Sequence, residues 1–358
     1  LNKKSVVQVI DTLESGGAEK VLIMLSNLLY ANGHDVKVIC TLNSGSIANQ
    51  LNSNIKQVAL HRKNKFSLFT MYKLVKECSN YEIVHVHSRH NLLYLFVAAT
   101  IFRLNKKIFF HEHFGDVDIN SKVKLYQKII YTKVKYIAVS KTLQQWALNR
   151  VKVLPQNVFL LSNTISVTNV SSSFDVQLNN SKIQLLMVSN FRKSKNIEFA
   201  ISIAKELKNL HFNFQLTIIG QPVNKDYFNS VKDLIKEFQL EDDVIIATNV
   251  YNTQAILHQY HLAIHTSKTE SGPLVLLEYM AHALPFVTYF TGDIIDEVKE
   301  DFPESIIRDF NIDNWITAIQ KVLSLSANDA YRNKLTKVFA DKFSIDSYYQ
   351  KCIKIYNS

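Results

Sequence analysis

Residues 262–281 read LAIHTSKTESGPLVLLEYMA, and this stretch decides the fold. Leu262 to Ser267 has the length and bulk of a buried strand, and a polar loop carrying Glu270 follows it. A helix is then expected from Gly272 or Pro273, because proline suits a first helical turn, where its missing N–H would have had no partner. Strand, loop and helix in immediate succession form half of a parallel crossover unit.

The same alternation extends outward in both directions. Upstream of this stretch, strands are expected at Gln184 to Ser189, Phe214 to Gly220 and Val244 to Thr248; downstream, at Phe286 to Tyr289 and Ser305 to Ile307. Residues 162–182, SNTISVTNVSSSFDVQLNNSK, lose periodicity and fill with Ser, Asn and Thr, as an interdomain linker does. Before the linker, strands are expected at Ser5 to Ile10, Asp35 to Thr41, Gln57 to Leu60, Ile83 to Ser88, Lys107 to His111, Tyr136 to Ser140 and Val158 to Leu161. Between the first two, Ala18, Val21, Leu22, Leu25, Leu28 and Leu29 keep a helical period, and Gly33 is suited to end it. The expectation is an α/β chain of two doubly wound parallel-sheet domains, with ligands met in one cleft beyond the carboxyl ends of the strands.

Two junctions carry residues suited to chemistry. After the first strand, Leu13-Glu14-Ser15-Gly16-Gly17-Ala18-Glu19-Lys20 places two glycines before a helix, where backbone amides can meet an anion; it reads equally as a tight turn. It is neither G-x-G-x-x-G nor a Walker loop, so the usual dinucleotide and NTP fingerprints are absent. At the second junction, Glu270 precedes the helix and Glu278 lies inside it. Two carboxylates flanking a helix N-terminus suit a ligand with hydroxyls at both ends and an anion between, as in a sugar-diphosphate-ribose. The alternative is a solvated loop glutamate and a surface glutamate.

The composition excludes several classes. Of 358 residues 47% are hydrophobic and 20% charged, so the chain is not disordered, collagen-like or a small binding module. Cys40, Cys78 and Cys352 lie far apart and give neither a disulfide framework nor a zinc spacing. The net charge of +10 is unevenly placed: residues 1–160 hold 22 basic and 9 acidic side chains, residues 161–358 hold 19 and 22. The N-terminal strand follows Asn2-Lys3-Lys4 rather than a long apolar run, and no stretch approaches the roughly 18 apolar residues of a spanning helix. The expected location is cytoplasmic, or peripheral on the cytoplasmic face of the inner membrane.

With these residues in view, the chain resembles the retaining, GT-B-fold glycosyltransferases of family 4 (glycosyl transferases group 1) over nearly its whole length. Glu270 to Glu278 looks like the family's E-x7-E motif, although Ser271 stands where glycine is usual and Gly272 follows one position later. The resemblance implies that Glu278 holds the ribose hydroxyls of the donor nucleotide and Glu270 the donor sugar. The amides around Ser271, Gly272, Pro273, Leu274 and Val275 would meet the diphosphate.

In Asn190-Phe191-Arg192-Lys193-Ser194-Lys195, Lys195 matches the family lysine, and Asn190 stands where an arginine is usual. Arg192 is then the nearby cation for a leaving group that gains negative charge. Gly16 and Gly17 look like the N-terminal glycine loop, Gly220 like the strand-end glycine, and Thr291-Gly292 like the glycine turn. Asn163-Thr164 departs from a frequent Asn-Gly. In Phe110-His111-Glu112-His113, either His111 or His113 is the histidine near the reacting sugar, an alignment on Glu-His favouring His113.

The implied domains are 1–165 (acceptor side), a linker at 166–182 and a donor-binding domain at 183–342, with the C-terminal helix 343–358 packing back on the first. The implied reaction moves a sugar from a UDP- or GDP-sugar to a saccharide or lipid-diphosphate-linked acceptor, in surface polysaccharide or glycolipid assembly. It proceeds by same-face displacement, with no cofactor and no metal. Asp116-Val117-Asp118 is formally a D-x-D and is read as coincidental.

Residues 121–135, SKVKLYQKIIYTKVK, read as an amphipathic helix: Val123, Tyr126, Ile130 and Val134 on one face, Lys124, Lys128 and Lys135 opposite, Lys122 and Lys133 flanking. The basic half points to an anionic membrane surface, or is ordinary solvated surface. A nucleic-acid-binding protein would need a reading helix, an aromatic strand or a zinc module, none of which is visible. A GT-B nucleotide-sugar epimerase is the other alternative; it would need carboxylates at the sugar in place of the E-x7-E arrangement.

Overall fold

The computed structural model describes residues 3–14, 16–64, 67–113, 123–167, 182–250 and 252–358. Ser15, Asp116, Val117, Asp118, Lys122 and the expected linker beyond residue 167 lie outside the described residues. The chain divides into two compact units, one of Leu1–Ile165 with Ile345–Ser358 and one of Ser166–Ser344.

The first unit holds strands β1 (Ser5–Ile10), β2 (Asp35–Cys40), β3 (Lys56–Ala59), β4 (Ile83–His87), β5 (Lys107–Glu112), β6 (Lys135–Ala138) and β7 (Val158–Leu160). Its helices are α1 (Gly17–Ala31), α2 (Leu68–Ser79), α3 (Arg89–Ile101), α4 (Leu125–Tyr131) and α5 (Lys141–Trp146). The strands form one parallel sheet in the order β3-β2-β1-β4-β5-β6-β7. β1 and β4 are buried on both faces, and Gln8, His85 and His87 are the buried polar side chains among their apolar residues.

The second unit holds β8 (Ile183–Val188), β9 (Phe214–Ile219), β10 (Val244–Ala247), β11 (Leu262–His265), β12 (Phe286–Tyr289) and β13 (Ile306–Ile307). Its helices are α6 (Ile197–Asn209), α7 (Lys225–Glu237), α8 (Leu274–Ala281), α9 (Asp293–Val298), α10 (Ile312–Leu325) and α11 (Asp329–Phe343). Its parallel sheet runs β10-β9-β8-β11-β12-β13. Both orders turn back at the first strand of their unit, so each sheet has one switch point: β1/β4 in the first, β8/β11 in the second.

The last helix, α12 (Ile345–Tyr356), belongs to the first unit. It buries Tyr348, Tyr349, Cys352, Ile353, Ile355 and Tyr356. Two of its tyrosines bond histidines of that unit: Tyr349 Oη lies 2.8 Å from His34 Nε2, and Tyr356 Oη lies 2.7 Å from His85 Nδ1.

The basic segment folds differently from the single amphipathic helix its pattern suggests. α4 ends at Tyr131, Lys135 opens β6, and the ring of Tyr126 is exposed while Gln127 is buried. The Gln127 side chain accepts from the Lys124 N–H, 2.9 Å away, which fixes the helix start and turns the buried face one residue on. Lys124, Lys128 and Lys133 are exposed, but they do not share a helix face with Lys135.

Candidate active site

At the switch point of the second unit, the loops leaving β8 and β11 are tied together. The Thr266 hydroxyl lies 3.1 Å from the Lys195 carbonyl and 3.0 Å from that of Asn196, and the Lys268 N–H donates to the Ser194 carbonyl at 2.8 Å. Asn196 takes a left-handed conformation (φ 53°), turning the chain from the Lys193–Lys195 turn into α6. These bonds carry Lys195 to Glu270: Nζ donates to Oε1 at 2.5 Å.

Glu270 has further partners that sequence reading missed. His265 Nε2 lies 3.3 Å from the same oxygen, and His265 Nδ1 is 3.0 Å from the Thr288 hydroxyl, so the imidazole is held from both sides. The Glu270 N–H donates to Thr291 Oγ1 at 3.0 Å. Burial alone would raise the Glu270 pKa. The His265 hydrogen bond and the Lys195 charge outweigh it and bring the carboxyl down to about 2, so Glu270 is ionised. Gly292 (φ +84°) packs directly on this loop: a Cβ there would lie 2.9 Å from Pro273 Cδ and 3.3 Å from Glu270 Cβ.

The helix after the loop begins at Leu274, with Pro273 in the capping position rather than in the first turn. Ser271 accepts at its carbonyl from the Asp293 N–H, 3.0 Å away, so the Ser271–Gly272 bend is braced against the start of α9. Leu274 and Val275 open the helix, whose remaining residues are buried. Glu278 is among them at 2% exposure, which removes the surface-residue reading; the Thr253 hydroxyl donates to its Oε2 at 3.0 Å. A carboxylate held that deep needs hydrogen-bond donors, and Thr253 supplies one of them.

The other expected residues of this unit separate by role. Asn190 Oδ1 accepts from the Gln221 N–H at 2.9 Å, so it braces two strand-end loops and does not stand in for a cation. Arg192 shares the turn with Lys195 but its side chain is exposed, and the structure brings only Lys195 to Glu270. Gly220 is required by close backbone approach, since a Cβ would lie 1.9 Å from the Ser189 carbonyl oxygen.

In the first unit, α1 starts at Gly17 with Gly16 as its cap, and the Glu19 carboxylate folds back over Gly16. The two expected histidines differ sharply. His111 is fully buried, with no hydrogen-bond partner among the described residues on either ring nitrogen, whereas His113 is partly exposed and its Nε2 is 2.9 Å from His87 Nδ1. His85 and His87 on β4 complete a stack, with ring centroids 4.6 Å apart from each other and 5.2 and 5.4 Å from His111. Desolvation pushes the His85 and His113 pKa values down to about 3, and those of His87 and His111 well below the usual range, so the imidazoles are neutral. The signal for this cluster in the sequence is the alternation His85-Val86-His87 beside His111-Glu112-His113, which puts all four rings on one face once β4 and β5 pair His87 with His111. Between them Glu112, buried, accepts from Arg89 Nε at 2.6 Å. Ser88, at the end of β4, has a positive φ of 71°.

Comparisons with known proteins agree along the chain. The family described as Glycosyltransferase Family 4 matches residues 15–169, and the family described as Glycosyl transferases group 1 matches residues 171–338. An uncharacterized glycosyltransferase of Haemophilus influenzae is 25% identical over 310 residues, covering 83% of this chain and 84% of its own length. The amylovoran biosynthesis glycosyltransferase AmsD of Erwinia amylovora is 22% identical over 298 residues, 80% of each chain. Among solved structures, Anabaena HepE in complex with UDP-glucose superposes with a TM-score of 0.77 at 17% identity, covering 99% of this chain and 100% of its own.

Proposed function

The chain belongs to the family 4 glycosyltransferases of GT-B fold, and on that premise we propose that it is a retaining enzyme transferring a sugar from a nucleotide-diphospho-sugar to a saccharide or lipid-linked saccharide. The observation that carries this reading is the ion pair of Lys195 and Glu270 at the start of a helix whose next turns bury Glu278. Glu278 takes the ribose hydroxyls, with its carboxylate already oriented by Thr253. The N–H groups of Gly272, Leu274 and Val275, proline at 273 having none, meet the diphosphate, where the positive end of α8 favours an anion. Glu270 binds the donor sugar through its hydroxyls.

As the glycosidic bond breaks, negative charge grows on the diphosphate. Lys195, with Arg192 on the same turn, offsets it as a fixed cation and without a metal ion. The departing diphosphate then helps take the acceptor proton on the face it leaves, so configuration is retained with no covalent intermediate. His113, the less buried of the two candidate histidines, hydrogen-bonds a sugar hydroxyl. A relative that bears the name of amylovoran biosynthesis supports a polysaccharide product, and a similar fold bound to UDP-glucose supports a UDP-sugar donor.

The acceptor is met at an anionic membrane surface on the cytoplasmic face. Supporting this, the first unit exposes Leu68, Phe69 and Tyr72 on α2 and Leu125 and Ile129 on α4, Leu125 to 74%, among exposed lysines. Lys133 lies over the ring of Phe96 on α3, and α3 packs against α2. No helix among the described residues is long and apolar enough to cross a membrane. The testing experiment is a thermal-shift screen of UDP, GDP, ADP and their sugars, followed by NMR assignment of the product anomer. One nucleotide series should stabilise selectively and the donor configuration should persist; an inverted product overturns the retaining mechanism.

A further inference from the structure

The histidine stack of the first unit has a property that glycosyl transfer does not use. His85, His87 and His111 each offer one nitrogen within 4.8 Å of the others, and all three side chains are fully buried. A tetrahedral metal site with bonds of about 2.0–2.1 Å has nitrogen to nitrogen edges of about 3.4 Å, so closing this set needs movements of roughly 1 Å per ring. Rotation of an imidazole about its side-chain bonds supplies that.

The hydrogen bonds already sort the nitrogens into ligands and supports. His85 Nδ1 is engaged by Tyr356 Oη at 2.7 Å and its Nε2 has no partner. His87 Nε2 donates to Gln8 Oε1 at 2.8 Å, which leaves Nδ1 a lone pair that accepts from His113 Nε2 at 2.9 Å and that a metal ion would take over. His111 has both nitrogens open. Ligating histidines usually donate their second nitrogen to a fixed acceptor, and Tyr356 and Gln8 stand where such acceptors belong. A buried polar atom without a partner is destabilising, and three that have none among the described residues cluster here: His85 Nε2, His111 Nδ1 and His111 Nε2. One cation ligated by His85 and His111 satisfies two of them at once.

We propose that His85, His87 and His111 form a binding site for a divalent late-transition-metal ion of the zinc class, held within the sheet of the first unit. The ligand set is all imidazole, which suits zinc, copper or nickel and not magnesium or calcium. Gln8 on β1 and Tyr356 on α12 orient the ligands, so the ion ties three strands and the C-terminal helix together. His113, whose Nε2 is 2.9 Å from His87 Nδ1, stays outside the ligand set and remains available to a sugar while His111 serves the metal.

The test uses the full chain without an affinity tag, stripped with chelator and titrated with Zn²⁺ against a chromophoric competitor, and separately with Co²⁺. Expected are about one tight equivalent per chain, visible Co²⁺ ligand-field bands of low coordination number and a raised Tm. H85N and H111N should each lose about 100-fold or more in affinity, and Y356F about tenfold. A variant with H61N, H90N and H211N, all outside the cluster, should bind as the wild type does. No tight equivalent in the wild-type chain overturns the site whatever the variants do. So does Zn²⁺ affinity that survives in folded H85N and disappears in the triple variant.

Discussion

Lys195 Nζ lies 2.5 Å from Glu270 Oε1, although the two residues are 75 positions apart and stand on loops after different strands. The pair exists because β8 and β11 are neighbours in the sheet while the chain between them builds β9, β10 and two helices. Thr266 and Lys268 then fasten one loop to the other. On the proposed reading, a diphosphate arriving at α8 would compete with Glu270 for the same ammonium, which would couple donor binding to the position of the Glu270 carboxylate.

Replacing Lys195 should therefore damage turnover more than folding. In K195A the fixed cation opposite the leaving group is gone, and kcat should fall about 100- to 1,000-fold, the usual cost of one such donor. K195R keeps charge but not the compact single-point contact, and should recover part of the loss. The check is steady-state kinetics alongside a thermal melt; unchanged kcat in folded K195A removes Lys195 from the leaving-group site.

The depressed Glu270 carboxyl has a signed consequence for acid stability. Its pKa is 4.5 in an unfolded chain and about 2 in the folded one, so in that interval the unfolded state binds more protons. The stabilisation is fully present above pH 4.5 and is lost as pH falls through about 2. E270Q has no such proton to take up, so its stability should fall less steeply than the wild type's across this window in urea titrations at stepped pH. Parallel curves would contradict the Lys195 and His265 origin of the shift.

Glu278 is expected to act on donor affinity. Hydrogen bonds to a charged group contribute about 1.5–3 kcal/mol, so E278A should weaken nucleotide-sugar binding about 10- to 100-fold by calorimetry. Truncation also leaves the Thr253 hydroxyl without its present acceptor, at a stability cost of about 1–2 kcal/mol. T253V separates these effects, because it removes the support and leaves the carboxylate in place.

Much of this was legible in the chain. Buried parallel strands are short apolar runs, so the strands were found to within a residue or two, and the glycines at 220 and 292 marked backbone crowding and a left-handed turn. What local pattern could not reveal was register. His265 reads as an ordinary strand residue until Glu270 folds back on it, and His85 and His87 become a cluster only when β5 pairs beside β4. The basic segment misled for another reason. A helical period continues through Val134, but the chain leaves the helix after Tyr131 to enter the sheet, and tertiary pairing overrides the local period.

Gly220 offers a test of fold rather than chemistry. A methyl group there would lie 1.9 Å from the Ser189 carbonyl oxygen, which belongs to backbone and cannot swing aside. G220A should cost about 3 kcal/mol or more, since the β8 and β9 ends must part. Asn190 bridges the same two loops through Gln221, so the damage should spread to the Lys195 turn and lower donor affinity as well. A melt and a donor titration on one preparation read both effects; an unchanged Tm would mean the strand ends separate at no cost.

The proposed membrane docking separates into two contributions that can be removed one at a time. On that proposal Lys124, Lys128 and Lys133 would act through charge, so liposome co-sedimentation should increase with the anionic lipid fraction and decrease with salt. Each lysine near such a surface contributes about 1 kcal/mol, and the triple change to glutamate should reduce partitioning more than 100-fold. Leu68, Phe69 and Leu125 would act by burial in the headgroup region, so changing them to serine should weaken binding at every salt concentration and leave its salt slope intact. Sedimentation that ignores lipid charge in the wild-type chain, or survives both sets of changes, would remove the membrane from the acceptor side.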